Sequence, residues 1–370
     1  MNSSRVIAAR SAEDIDRYIA FAQEVYDNDP NWLPPDPHHM QSMLTGQQDA
    51  GPHWKVQPFI AESGGKIVGT IAAVIDSLYE QHWKDGVGHV LFFEALPGHG
   101  DSIAQLFDEA CAWLKANGSR AARTSFLYGW QTPWTIDAYD KVPTTFHTYN
   151  PPYYHSYAKN AGFRTERGVV EFRVTFTDEL KDRYLAMIEN AESSGVSLRP
   201  WDLERAVEEA RLFWELLNRS FSTHWGSPQF GEAQMLGFVE GMTPFFIKDS
   251  VCFAEADGET AGFVFTFPDL NQAMHRLKGT PLEGDEAAFG AELRKIDHGV
   301  LLIIGVDERF RGKGVNLALA AKAYLGMIEH GFRSASYTVV LDDNWPSRRT
   351  AEKLGAKIKR NFLIYEKALN

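Results

Sequence analysis

The chain has 370 residues, enough for two ordinary domains, and its 44% hydrophobic and 23% charged content is typical of a globular protein. A formal net charge of −12 disfavours nonspecific binding to nucleic acid, and no run of five lysines or arginines offers a basic patch. The longest apolar runs, such as residues 300–306, are shorter than the roughly 18 residues of a membrane span. The first residues lack the apolar segment of a secretion signal. We therefore expect a cytoplasmic protein with no nucleic-acid or membrane partner.

Residues that bind metals or form disulfides are few and scattered. Cys111 and Cys252 lie far apart in apolar surroundings, which is typical of reduced thiols in a core. His38 and His39 are adjacent, so they lack the spacing that places two ligands on one helix face. We expect neither a disulfide framework nor a metal site.

The first half of the chain alternates strand patterns with helix patterns. Hydrophobic periodicity and turn residues predict these elements in chain order: strand 5–9, helix 12–27, a short helix after the proline-rich segment 31–37, hairpin 59–62 with 66–76, strand 89–95, helix 101–117, strand 120–126, helix 152–160 and strand 168–175.

The second half repeats this order after a helical stretch at residues 178–194. The predicted elements are strand 196–199, helix 202–220, hairpin 251–255 with 260–267, strand 299–306, helix 314–330, strand 334–341, helix 346–354 and strand 358–367.

Glycines mark the repeat at a constant distance. Gly69 and Gly262, each seven residues after an Ala-Glu dipeptide, are 193 residues apart, and so are Gly162 and Gly355. Equal offsets together with the matching order of elements indicate an internal duplication. We therefore predict an N-terminal domain at residues 1–177, a helical linker at 178–195 and a C-terminal domain at 196–370.

The segment after strand 299–306 has the composition of an anion site. Arg309, Arg311, Gly312, Lys313 and Gly314 lie between this strand and the next helix. Amides of a first helical turn lack partners within the helix, and the helix dipole favours negative charge there. A surface turn with solvated basic residues would have the same composition. The spacings of an ATP-binding P-loop and of a dinucleotide fold are both absent from the sequence.

Two motifs resemble the GCN5-related N-acetyltransferase (GNAT) superfamily. Arg309-x-x-Gly312-x-Gly314 resembles its acyl-CoA pyrophosphate loop, and residues 344–355, which begin with Asn344 and end in Leu-Gly, resemble its second motif. The whole chain also resembles a little-characterised bacterial group with two tandem domains of this kind. The shared-looking segments are residues 31–35 (Asn-Trp-Leu-Pro-Pro), 92–94 (Phe-Phe-Glu) and 149–154 (Tyr-Asn-Pro-Pro-Tyr-Tyr).

The resemblance implies an α/β (α+β) fold of tandem acyl-CoA N-acyltransferase domains, each with a mixed, mostly antiparallel sheet flanked by helices. It implies an acyl-CoA cosubstrate and no metal. The pantetheine arm would pair with backbone near Ile304 to Val306, and the pyrophosphate would lie on amides from Arg311 to Val315. Asn344 would face the cosubstrate from the other side. A strand amide would hold the thioester carbonyl and stabilise its developing negative charge.

The sequence departs from the family at the general acid. Many relatives place a tyrosine four residues before the glycine of the second motif, where this chain has Ala351. Tyr365 and Tyr337 are possible substitutes by residue type alone, and both also fit a structural role.

Carboxylates supply the candidates for a general base. Asp342 and Asp343 end a predicted strand, and Glu255 lies on the opposing hairpin. Asp343 fits equally well as a cap of the helix that follows Asn344.

The N-terminal copy of the loop retains Gly98 and Gly100 but has Ala95 at the arginine position and His99 as its one cationisable group. We expect this copy not to bind CoA. The aromatic, proline-rich segments 31–37 and 149–154 fit either the lining of an acceptor pocket or plain packing.

The sequence thus predicts an acyl-CoA-dependent N-acyltransferase that transfers acetyl from acetyl-CoA to a small-molecule or protein amine. Two alternatives stay open. Ala351 is the hint of a non-catalytic protein that binds or senses acyl-CoA, and the 13% aromatic content permits transfer of a long acyl chain to an amino acid.

Overall fold

A computed structural model describes residues 4–47, 52–127, 131–279 and 286–369. The chain divides into two compact units. Unit 1 consists of residues 1–168, 278–280 and 362–370, and unit 2 consists of residues 169–277 and 281–361.

Unit 1 contains eleven complete helices and strands among its described residues. They are β1 (Ser4–Ala8), α1 (Ala12–Val25), α2 (Pro37–Thr45), β2 (Trp54–Ser63), β3 (Lys66–Asp76), α3 (Ser77–Trp83), β4 (Val87–Ala95), α4 (Gly100–Ala116), β5 (Ala121–Arg123) and the two-residue β6 (Trp134–Thr135), followed by α5 (Tyr154–Asn160).

The sheet of unit 1 has the order β1-β2-β3-β4-β5, and every neighbouring pair is antiparallel except β4 with β5. Helix α4 packs on one face through Ile103, Leu106 and Phe107. Helix α1 packs on the other face. Its start is set by a capping box between Ser11 and Asp14, and Ile15 and Tyr18 lie one turn apart on its buried side.

The remaining helices and strands lie wholly or partly in unit 2. They are β7 (Arg164–Thr175), α6 (Asp178–Glu192), β8 (Val196–Pro200), α7 (Ala206–Phe221), α8 (Glu232–Met242), β9 (Cys252–Ala256), β10 (Glu259–Pro268), α9 (Leu270–Leu277), α10 (Glu286–Leu293), β11 (His298–Val306), α11 (Val315–Glu329), β12 (Ser334–Leu341), α12 (Trp345–Lys353) and β13 (Lys357–Ala368).

The sheet of unit 2 has the order β7-β12-β11-β10-β9-β8, in which only β11 and β12 are parallel. Helix α11 is buried almost all round, because the sheet covers one side and α6 covers the other. On that outer side the ring of Tyr184 from α6 lies 5.6 Å from the ring of Tyr324. Helix α6, expected as a linker, is therefore part of the core of unit 2. The mixed, mostly antiparallel sheet with flanking helices is confirmed in both units.

Parts of two strands, β7 and β13, pair within the unit opposite to the one that their position in the chain predicts. Residues 362–368 of β13 pair in unit 1 with β5 and β6, and residues 169–175 of β7 pair in unit 2 with β12. The bounds 1–177 and 196–370 therefore differ from the packed units at these strands. Both strands follow a helix of the second-motif type, so periodicity alone cannot decide which sheet each one joins.

The glycines of the repeat have corresponding places in the two units. Gly69 pairs with Ala95 and lies under Ile103 of α4, whereas Gly262 pairs with Val306 and lies under Leu319 of α11. A Cβ built at either glycine would come within 2.6 Å of a neighbouring atom. These positions therefore need glycine so that the central helix can approach its sheet.

Gly326 offers a test of the packing that places α11. A Cβ there would lie 2.9 Å from backbone atoms of Asp249 and Ser250. We expect Gly326→Ala to lower the free energy of unfolding by about 1–3 kcal/mol, because backbone cannot yield as a side chain can. Gly237→Ala, at a helical glycine of α8 with nothing within 4 Å of its Cβ, is the matched control and should be neutral or stabilising by up to about 1 kcal/mol. Calorimetric melting of both variants checks this, and equal losses would contradict it.

Candidate functional site

A gap opens in the sheet of unit 2 between its two parallel strands. The pairing of β11 with β12 runs from His298 with Ser334 to Leu301 with Tyr337, although β11 continues to Val306. At this point the side chain of Thr338 donates to the carbonyl of Leu301 at 3.3 Å. Next to it, Val339 has a φ of 55°, a strained conformation for a β-branched residue, where the pairing of β12 with β7 shifts register.

The backbone of Ile304 and Val306 faces this gap. The amide of Asp307 donates to Ala261 at 2.9 Å, so it points towards β10. In an antiparallel pair the backbone groups of successive residues point to opposite sides. Gly305 therefore also points towards β10, and Ile304 and Val306 point away from it.

Asp307 organises the loop that follows β11. Its carboxylate accepts from the backbone amide of Arg309 at 3.0 Å and forms ion pairs with the side chains of Arg219 and Arg309 at 2.9 and 3.1 Å. These hydrogen bonds from Arg309 hold the pKa of the buried Asp307 below its usual value. Arg309 also pairs with Glu259 at 2.9 Å, and the two carboxylates raise the pKa of its guanidinium.

The three cations of the loop have different partners. Arg309 is engaged by Asp307 and Glu259, and Lys313 pairs with Asp257 at 2.7 Å. Arg311 is exposed and has no ion pair among the residues that the structure describes. Of the three predicted phosphate ligands, Arg311 is therefore the one whose charge is available to an anion.

The start of α11 is open. Gly312 and Gly314 have φ values of 86° and 79°, which glycine adopts without strain, and a Cβ built on either meets nothing within 4 Å. Within the described part of the chain, no side chain caps this helix, and its first turn has no acidic residue. The side chain of Asn316 donates instead to Thr350 in α12 at 3.0 Å. The first-turn amides are therefore free to bind an anion.

Asn344 of the second motif contacts His224, a residue that the sequence reasoning missed. Asn344 is the N-cap of α12, where its oxygen accepts from the amide of Ser347 at 3.2 Å. Its Nδ2 therefore faces Nε2 of His224 at 3.2 Å. Burial lowers the pKa of His224, the charge of Asp343 raises it, and the charge of Arg311 lowers it further.

His224 thus lies within electrostatic reach of both motifs, on the segment after α7. No motif or spacing in the sequence marks it. The amide of Asn344, expected to face the cosubstrate, has both its oxygen and its nitrogen occupied by partners within the protein.

The predicted bases lie in different environments. Asp342 and Asp343 are exposed where β12 ends, next to Asn344. Glu255 lies on β9, which β10 separates from the gap, and it pairs with Arg199 at 2.8 Å. The structure therefore brings the two aspartates to the site but not Glu255.

The predicted substitutes for the missing acid are both buried. Tyr337 ends the paired part of β12, its hydroxyl lies 3.0 Å from that of Ser347, and burial raises its pKa. Ala351 is in the core of unit 2. Tyr365 belongs to unit 1, where its hydroxyl lies 3.0 Å from Nδ1 of His155. Tyr365 is therefore not among the residues that unit 2 gathers around the loop.

The corresponding gap of unit 1 is filled by tyrosine hydroxyls. The pairing of β4 with β5 ends at His89 with Arg123. Beyond it, Tyr153 donates to the carbonyl of Ala95 at 2.7 Å, and the amide of Ala95 donates to Tyr154 at 2.9 Å. Tyr157 donates to the carbonyl of Leu96 at 2.7 Å.

The loop of unit 1 also differs in charge from that of unit 2. Gly98 has a φ of 85°, but the first turn of α4 contains Asp101. A carboxylate there occupies the position that the helix dipole offers to an anion.

Membrane-spanning helices and metal-binding clusters are both absent from the described residues. No helix in the described ranges combines the length and apolarity that crossing a membrane requires. Among those same residues, no three His, Cys, Asp or Glu side chains are grouped so that they could hold a metal ion.

Comparison with known proteins places this geometry in a family context. Residues 210–356 match the model of the acetyltransferase (GNAT) family. A Caulobacter vibrioides (strain NA1000 / CB15N) protein named bacterial ceramide synthase is 25% identical over 376 residues, which cover 98% of this chain and 97% of that protein. Protein YghO of Escherichia coli (strain K12) is 22% identical over 364 residues, 96% of this chain and 93% of that protein.

A solved structure shows the same fold over the full length. It is a tandem GNAT protein from the clavulanic acid biosynthesis pathway, with a TM-score of 0.56, 14% identity, and coverage of 100% of this chain and 99% of that one. The present chain is therefore a tandem GNAT fold, as the two packed units indicate.

Asp307 allows a test of the loop that is independent of any ligand. Its pKa is depressed in the folded protein, so its contribution to stability is present above the ordinary aspartate value of 3.8 and is lost as the pH falls through the folded value. We expect Asp307→Asn to lower the free energy of unfolding by about 1–3 kcal/mol at pH 7 and by less at pH 3. Asp257→Asn, which removes the exposed partner of Lys313, should change it by less than about 0.5 kcal/mol. Denaturant titration at both pH values measures this, and a pH-independent loss would refute the assignment.

Proposed function

We propose that this chain, whose residues 210–356 belong to the acetyltransferase (GNAT) family, transfers an acyl group from acyl-CoA to an amine at the gap of unit 2. The observation that supports the proposal best is the uncapped start of α11 beside the end of β11. Unpartnered amides, two glycines without obstruction and the unpaired Arg311 together fit a diphosphate.

Each part of the gap would hold a different part of the cosubstrate. The amides of residues 311–315 would bind the pyrophosphate, with Arg311 as the cationic partner. The backbone of Ile304 and Val306, which faces the gap, would pair with the pantetheine arm, whose peptide-like groups need such partners. Arg309 would act indirectly, because its ion pairs with Asp307 and Glu259 hold the loop in shape.

A bound acyl-CoA would supply a thioester activated for attack by an amine. The protein then has to position the amine, provide hydrogen-bond donors at the carbonyl oxygen and accept the proton of the amine. For the donor we propose a backbone amide of β11 at the gap. For the base we retain Asp342 and Asp343 and add His224, because burial keeps its imidazole neutral at pH 7 and therefore able to accept a proton.

Two kinds of acyl group are candidates for the transfer. Acetyl is the one that the resemblance and the name of the family model favour. The Caulobacter relative favours a fatty acyl group, because a ceramide is the amide of a fatty acid with a long-chain amino alcohol. Both candidates use the same gap and the same loop, and they differ in the chain that lies beyond the thioester.

The glycine loops of the two units form a matched pair for testing the site. Gly312 and Gly98 have φ values of 86° and 85°, and both have open space at the Cβ, so a glutamate causes the same backbone strain at either position. We expect Gly312→Glu to abolish acetyl-CoA binding in calorimetric titration, because it places a carboxylate where a phosphate must lie. Gly98→Glu should leave the affinity within about twofold. Equal losses in both variants would refute a single CoA site in unit 2.

Turnover identifies the acyl group. We expect purified protein to release CoA thiol from acetyl-CoA in the presence of some member of a panel of primary amines, with one amide formed per thiol. Release that is tenfold faster from palmitoyl-CoA with sphinganine would establish the second candidate instead. Binding of acyl-CoA without thiol release on any amine would contradict catalysis and favour a sensor.

A further inference from the structure

Three sequence segments with no part in the CoA site converge in unit 1. They are the segments 31–35, 92–94 and 149–154 that resemble the tandem bacterial group. Trp32 from the first stacks on Tyr26 with 4.8 Å between ring centroids, and the ring of Tyr149 from the third lies 5.9 Å from that of Tyr26. Tyr154 of the third segment donates to Glu94 of the second at 2.6 Å.

Glu94 is the centre of this cluster. Its carboxyl accepts a hydrogen bond from Tyr154 at 2.6 Å, and Tyr18, Tyr26 and Tyr153 lie near enough for its charge to affect their pKa values. The amide of Ala95 donates to the hydroxyl of Tyr154, so the one proton of that hydroxyl is directed at Glu94. Glu94 is therefore held as a hydrogen-bond acceptor, which is the arrangement that an ionised carboxylate requires.

The carboxylate has no counter-charge within the described residues, where no lysine or arginine pairs with it. Glu62, on β2 of the same sheet, is paired with both Arg5 and Arg17 at 2.6 and 2.5 Å. The arginine hydrogen bonds lower the pKa of Glu62, whereas burial raises the pKa of Glu94 to about 7. An enclosed carboxylate without a cation is costly, and a bound cation offsets part of that cost.

The place remains reachable. Glu94 is neither fully buried nor fully exposed, and it is the one residue of β4 with intermediate exposure. We propose that Glu94, with Tyr18, Tyr26, Tyr153 and Tyr154, forms a binding site for the ammonium group of an organic amine.

The chemistry of the cluster defines the class of ligand. The carboxylate provides the counter-charge, and Tyr153, which is partly exposed, can contact the cation and an attached alkyl chain. A primary ammonium fits best, because its N–H groups can donate to the carboxylate oxygens. A metal ion fits poorly, because the cluster offers a single carboxylate. The site requires no CoA and is independent of the proposed reaction.

Hexylammonium is a suitable probe, with 1-hexanol as its neutral analogue of the same length. In calorimetric titration of the full chain at pH 8, we expect hexylammonium to bind and 1-hexanol to bind at least tenfold more weakly. Glu94→Gln should weaken hexylammonium at least tenfold, whereas Asp101→Asn, which removes an exposed carboxylate of the same unit, should leave its affinity unchanged. Equal affinity of the Glu94→Gln variant and the unaltered protein, or equal binding of the alcohol, would overturn the proposal.

The pH dependence of the affinity for hexylammonium is a second test. It would be absent if Glu94 had only a structural role. The proton and the ligand compete for the carboxylate, so the affinity for hexylammonium should fall about tenfold per pH unit below pH 7 and stay level above it. Without ligand, the raised pKa makes the folded state less stable as the pH rises from 5 to 8. The melting temperature should therefore fall over this range more than in Glu94→Gln, and hexylammonium should restore it.

A flat pH profile of affinity would also overturn the site. Titration of the Glu94→Gln variant with acetyl-CoA separates this proposal from the proposed function. Unchanged CoA affinity together with lost amine binding supports a distinct site, and loss of both would refute it.

Discussion

The candidate site depends on the point at which one parallel strand pair ends. Strand β10 pairs with β11 as far as Val306, whereas β12 pairs with it only as far as Leu301. After Leu301, β11 therefore stays paired with β10 on one edge. On its other edge it presents backbone groups that no strand pairs with. Unsatisfied strand groups normally take a further strand, a side chain or a ligand as partner. The open start of α11 follows directly along the chain, so both binding features arise from one strand and its loop.

Unit 1 satisfies the same unpaired edge internally. Its β4 also loses its parallel partner early, but the hydroxyls of Tyr153, Tyr154 and Tyr157 take the backbone groups of Ala95 and Leu96. Two copies of one fold thus meet a shared constraint in different ways. In unit 1 the protein's own side chains fill the gap, and β4 carries Glu94 at the position where β11 has Gly305.

The charged residues of the site differ in whether they form ion pairs within the protein, and those without an ion pair are available to ligands. Asp307 and Glu259 engage Arg309, and Asp257 engages Lys313, whereas Arg311 has no ion pair among the described residues. The same criterion, applied to carboxylates, distinguishes Glu62, which pairs with two arginines, from Glu94, which accepts from Tyr154 and has no ion pair within the described residues. A paired charge already has its counter-charge within the protein, whereas an enclosed charge without one is able to take it from a ligand.

Local signals in the sequence determined most of the elements, the duplication, the glycine loop and the resemblance, because periodicity, caps and tight turns depend on neighbouring residues. Only the tertiary structure decided which sheet residues 169–175 and 362–368 join, that Glu255 lies a strand away from the gap, that Tyr365 belongs to unit 1, and that His224 reaches Asn344. These facts depend on pairings between segments far apart in sequence. The identity of a residue does not specify which distant segment it contacts in the fold. Neither spacing nor composition could therefore reveal these contacts.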